Sequence, residues 1–147
     1  MKKKIVALAA LACLIVAMAL PAGATSQTVC ETKTVTTVYG DFEIEETLIV
    51  YNNLRSSSRT ASKTATCRQN GSVVAEATLT ATFGYDGSSA WVVNASGSHT
   101  TYSGWSYSGE KISKVGSTAT LTASVSKSGV VKSISVSMTC SPSGSIS

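Results

Sequence analysis

An antiparallel β-sandwich, immunoglobulin-like or of related topology and preceded by a cleaved signal peptide, is the fold class that this 147-residue sequence predicts. Three observations predict it. The amino terminus runs from charged to apolar to small residues as an export signal does, strict two-residue alternation fills much of the remainder, and Gly-bearing turn pairs separate the alternating runs.

In MKKKIVALAALACLIVAMALPAGA, Lys2, Lys3 and Lys4 precede an uncharged run from Ile5 to Leu20, followed by Pro21, Ala22, Gly23 and Ala24. Cleavage is expected between Ala24 and Thr25, so residues 1–24 are the signal peptide and residues 25–147 one domain. The apolar run falls short of the ~20 residues needed to span a bilayer. Cys13 sits inside that run, the wrong place for a lipid anchor. A secreted, extracellular chain with no membrane attachment after signal cleavage is the expectation, and the short three-lysine signal looks bacterial.

Cleavage also changes the charge. The formal net charge is +4, but three lysines leave with the signal and every acidic residue stays. What remains is nearly neutral and holds no basic cluster, so nucleic acid is not an expected partner. Roughly a third of the domain is Ser or Thr, yet prolines are nearly absent and hydrophobic periodicity is strong, which opposes a mucin-like stalk.

Taken in order, TVCETKTVTTVY (Thr28 to Tyr39) is β-branched enough for a strand. GDFEIEETLIVYNN puts Phe42, Ile44, Leu48 and Val50 in phase, with Glu46 intruding; a bulge at Glu45–Glu46 would remove it from the core. Leu54 to Thr64 reads as a loop leading into a strand that contains Cys67. Next, Val73, Ala75, Ala77, Leu79, Ala81 and Phe83 share a face, opposite Glu76, Thr78, Thr80 and Thr82. Asn70–Gly71 before this run is a strong hairpin signal, because both positions of a two-residue loop favour positive φ.

Asp86–Gly87 leads to a return strand with Trp91, Val93 and Ala95 on one face. SHTTYSGWSYSGEKIS, Ser98 to Ser113, then reads as a long irregular connection. Ala119, Leu121, Ala123 and Val125 alternate with Thr and Ser, and Ile134, Val136, Met138 and Cys140 do so again after a turn at Lys127–Ser128–Gly129. Seven to nine strands and almost no helix are expected. Alanine on the inner face and threonine on the outer suit two closely packed sheets.

Cys30, Cys67 and Cys140 follow the signal. In a secreted domain they suggest one disulfide, with Cys67–Cys140 favoured because both lie in strand-like runs, Cys30–Cys67 next, and three reduced thiols the remaining alternative.

Candidate chemistry is sparse. His99 is the only histidine; abundant serines surround it, but no nucleophile-elbow motif marks one of them, so no catalytic residues are assigned and no enzyme is expected. Metal-ligand spacing is missing, and Asp41, Glu43, Glu45 and Glu46 fall on a strand rather than in a calcium loop, so neither metal nor cofactor is expected. The aromatic cluster His99, Tyr102, Trp105 and Tyr107 offers two roles: a sugar-stacking patch, or a plug in which Trp105 closes an alanine-rich core.

The stretch from Leu48 to Ser147, most specifically GYDG, SGWSY and SMTCSP, resembles a group of small secreted proteins of Gram-positive, largely gut-associated bacteria for which no activity is established. The resemblance implies a secreted all-β domain and carries no site residues. The function expected is a non-catalytic extracellular binding or surface-associated module of unknown ligand, its partner a cell-surface glycan or protein. A bacteriocin-like effector is the alternative and a small hydrolase the third reading.

Overall fold

The computed structural model describes Ile5–Val6, residues 28–52 and residues 57–147. The signal cleavage site and Leu54 therefore lie outside the described residues. The two-residue β1 (Ile5–Val6) pairs with Thr36 and Thr37 on the edge of five long strands: β2 (Thr28–Tyr39), β3 (Phe42–Asn52), β4 (Ser58–Gln69), β5 (Ser72–Tyr85) and β6 (Ala90–Thr101). A second sheet holds β7 (Ser106–Val115), β8 (Thr118–Lys127) and β9 (Val130–Thr139). No described residue is helical. Every pairing is antiparallel and joins neighbours in the chain. The sandwich is thus a pair of meanders and not the Greek key of an immunoglobulin domain, because connections of only two to five residues join consecutive strands from β2 to β9.

Alternation decides which side is buried. Ala75, Ala77, Leu79, Ala81 and Phe83 of β5 are buried against Ala119, Leu121, Ala123 and Val125 of β8 and Ile134, Val136 and Met138 of β9. The outer faces carry cross-strand hydroxyl pairs: Thr60–Thr82 at 3.0 Å, Ser62–Thr80 at 2.9 Å, Thr64–Thr78 at 2.8 Å and Thr118–Thr139 at 2.9 Å. Such pairs stabilise a sheet by about 0.2–1 kcal/mol each. The hairpin turns form as expected, with positive φ at Asn70 and Gly71 and at Ser128 and Gly129. In the Asp86 turn the amides of Ser88 and Ser89 donate to the side-chain carboxylate at 2.8 and 2.7 Å, and these bonds hold its pKa below the usual carboxylate range.

Several expectations are corrected. Ser58 to Thr64 is strand, not loop, and Ser98 to Ser113 is mostly strand, broken only at 102–105. The register runs unbroken through Glu45 and Glu46, so no bulge forms there; Glu46 stays on the inner face and pairs with Lys63 of β4 at 3.5 Å. Bulges fall elsewhere. One beside Cys67 and Arg68 buries Val74, and one beside Thr82 and Phe83 turns Val92 inward. Trp91 and Val93 are consequently 44% and 53% exposed, with the indole lying over Gly84, where a Cβ would approach it to 2.5 Å.

The Cys67–Cys140 disulfide does not form; both cysteines are free and buried. Cys67 stands level with Ile44 and Ala75, near the β4–β5 turn. Cys140 belongs to the opposite end, where its amide donates to Ser117 O and its bridge to Ile146 closes a tail hairpin whose Gly144 carbonyl accepts from Arg59. Arg59 and Cys67 are separated by about 26 Å of β4 at ~3.3 Å per residue, far beyond the ~7 Å Cα limit of a disulfide. Burial raises both thiol pKa values, which keeps the sulfurs protonated and unreactive. The Cys30 side chain lies outside the described residues.

The tail hairpin seals that end of the sandwich. Ile146 is buried, and Gly144 adopts φ +83° against the Tyr85 ring, where a Cβ would stand 2.5 Å away. Gly144→Ala should lower stability by about 1–3 kcal/mol, read from urea denaturation midpoints. Cys67 and Cys140 should resist alkylation in the folded protein and both react once it is denatured, measured by mass; modification of only one or neither after unfolding without reductant would contradict the free-thiol assignment.

Candidate functional site

The four aromatic-cluster residues are brought to one corner, where the chain leaves β6 and enters β7, yet they divide into separate roles. At the corner, Ser103 and Gly104 take positive φ and the Trp105 amide donates to Tyr102 O at 3.1 Å, a tight turn that swings the chain from one sheet to the other. Lys127 Nζ donates to Ser103 O at 2.6 Å and pins this turn to the end of β8.

Trp105 is only 7% exposed and joins the core, packing edge-on to Phe42 with ring centroids 6.0 Å apart. It is the plug and not a surface contact, which corrects its place in the sugar-stacking patch. With alanines filling the middle of the core, the indole supplies the bulk that closes this end.

His99 and Tyr107 form a second feature. Their rings stack 3.7 Å apart and 10° from parallel, one from β6 and one from β7, across the flank where the two sheets meet. The Tyr107 hydroxyl donates to Glu110 Oε2 at 2.8 Å, and His99 Nδ1 lies 3.8 Å from the same oxygen. A bulge between Ser108 and Lys111, with Gly109 at φ +66°, aims Glu110 back toward Tyr107. Gly97 makes the room: a Cβ there would come within 2.8 Å of Leu121 Cδ1 and 2.9 Å of Glu110 Oε1. Burial and then the Glu110 bond push the Tyr107 phenol well above the ordinary tyrosine range.

Tyr102 turns the other way. Its ring is 40% exposed, and its hydroxyl donates to Glu76 Oε2 at 2.7 Å on the outer face of the five-stranded sheet. Thr66 donates to the other Glu76 oxygen at 3.4 Å. The bond to Glu76, ahead of desolvation, raises the Tyr102 pKa. Beside this pair lies a shallow depression of about 310 Å³ lined by Thr64, Glu76, Thr78, Ser98, His99 and Thr100. Glu76 is the residue that the sequence reading missed. Its position among threonines on the polar face was legible, but nothing nearby in the chain indicated that Tyr102 would reach it.

This corner offers an exposed ring, a carboxylate with unused acceptor sites and a row of hydroxyls. It can accept hydrogen bonds from a polyhydroxylated ligand, donate to its oxygens and shield one apolar face. No group of three or more His, Cys, Asp or Glu side chains among the described residues has the arrangement of a metal site. Fold and site together define a small antiparallel β-sandwich with a polar, carboxylate-bearing corner on its wider sheet. No protein-family model, curated protein or solved structure matches the chain.

Because both phenols are held protonated in the folded state, their contribution to stability is complete below the ordinary tyrosine pKa of about 10. It is lost as pH climbs through the higher folded values. Tyr107→Phe should flatten the alkaline fall in stability measured by urea midpoints across that range; an unchanged profile would mean that the Tyr107–Glu110 bond does not form.

Proposed function

We propose that this protein is a secreted, non-catalytic extracellular module that binds cell-surface glycan through the outer face of its wider sheet. The observation that carries the reading is the Tyr102–Glu76 pair beside the hydroxyl-lined depression, which joins an exposed ring to a carboxylate and several hydroxyls within one patch. A sugar ring would stack on Tyr102 and donate hydroxyl hydrogens to Glu76, while Thr64, Thr78, Ser98 and Thr100 serve as adaptable partners. Export follows from the charged and apolar amino terminus, and the outward Ser/Thr rows suit a solvated surface.

His99 and Tyr107 contribute from the flank by holding β6 against β7, and so fix the position of the depression. Trp105 acts from inside as the plug behind the Tyr102 turn.

An array of bacterial cell-wall and host glycans probed with the purified protein tests the reading. Binding to at least one glycan class is expected, weakened about tenfold by Tyr102→Ala and by Glu76→Gln. No response across the array, or responses from both variants equal to that of the unaltered protein, would contradict it.

A further inference from the structure

The two sheets differ in width, and the difference leaves a groove. Sheet-to-sheet packing involves β9 over β4 and β5, β8 over β5 and β6, and β7 beside β6. The inner face of β2 and β3 therefore extends past β9. Between β9 and these strands lies a cavity of about 380 Å³ lined by Thr37, Tyr39, Ile44, Glu46, Lys132, Ser133 and Ser135. A smaller hollow of about 70 Å³ continues it past Val35, Leu48 and Lys63 to Ser147.

One wall of this groove is a strand edge. Among the described residues β9 pairs with β8 on one side and with no strand on the other. Its odd-numbered residues point their backbone groups outward from that free edge: Thr139 exchanges N–H···O bonds with Ser147 at 2.9 and 3.0 Å, and Ser137 O accepts from Lys63 Nζ at 3.0 Å. Ser135 and Ser133 follow in the same phase. The tail residues Ile146 and Ser147, paired with Cys140 and Thr139, thus already occupy the first two positions of a fourth strand beside β9.

Charge selects what could extend it. Lys33, Lys63 and Lys132 line the groove, where Glu46, bound to Lys63, is the one acidic side chain in the lining; Glu31 neighbours Lys33 on the same face of β2, beyond the lining. Lys132 also lies 3.9 Å from the Tyr39 ring centroid, a cation held over the groove floor. In the chain these lysines are widely spaced and nearly cancelled by acids, so the groove is made by the fold.

We propose that the groove takes an extended acidic segment of a partner protein, which adds antiparallel to β9 as the fourth strand of the narrower sheet. Main-chain bonds to Ser133 and Ser135 would hold it, apolar side chains would cover the half-buried Val35 and Ile44, and carboxylates would meet the lysines. This surface is separate from the glycan corner and stands without it.

The test selects binders from a displayed library of linear peptides and follows amide exchange in the purified protein. Selected peptides should be rich in Asp, Glu and β-branched residues and should slow exchange at Ser133 and Ser135 about tenfold. Ser135→Pro removes one groove-facing N–H without touching the β8 ladder and should weaken binding about tenfold while the combined emission of Trp91 and Trp105 stays unchanged. Lys33→Glu, at an exposed position, should shift selection toward basic peptides, so the test survives if the proline variant misfolds. The proposal is overturned if no acidic peptide is enriched or if Ser135→Pro binds normally. It is also overturned if the two amides become protected simply with rising protein concentration, which would indicate a second copy, or if dextran sulfate competes fully without protecting them, which would indicate a generic polyanion site.

Discussion

The structure depends on a core whose centre is alanine. Ala61, Ala65, Ala75, Ala77 and Ala81 on the wider sheet, with Ala119 and Ala123 on the narrower, put the smallest side chain with a Cβ where the sheets face each other. This permits close approach but buries little apolar area per residue, and hydrophobic stabilisation scales with that area. Larger groups must close the margins. Trp105 against Phe42 closes one end, the tail hairpin with Ile146 and Gly144 closes the other, and the His99–Tyr107 stack closes one flank. The remaining flank, beside β9, is the groove.

The surface follows from the same arrangement. Strands with alanine inside carry threonine or serine outside, and their opposed hydroxyls bond across the sheet. On that even background a departure has consequences. Glu76 interrupts the threonine row and draws Tyr102 over the outer face, and the bulge at Gly109 turns Glu110 into the seam. The candidate site is thus built from breaks in regularity.

Much of the fold was legible because period-two alternation in β5, β8 and β9 and the Asn70–Gly71 and Ser128–Gly129 turns are local properties. What escaped reading was set by partners distant in the chain. Glu46 looked like an error in a strand, and only Lys63 on the adjacent strand makes it tolerable inside. Trp91 looked inward until a bulge opposite Thr82 and Phe83 gave its place to Val92. Cys67 and Cys140 sit in similar strands, but strand direction and register put them at opposite ends. Of the aromatic cluster, clustering was visible and orientation was not, since the Tyr102–Trp105 turn sends one ring outward and the other into the core.

Alanine at the sheet interface is required by space and is not an incidental small residue. Ala77 is fully buried on β5, the strand that both β8 and β9 cover. The most direct measurement is the unfolding free energy of Ala77→Leu by urea denaturation. Overpacking should destabilise it by about 1–3 kcal/mol. An unchanged or higher stability would mean that the sheets have room to spare and that alanine is not required there.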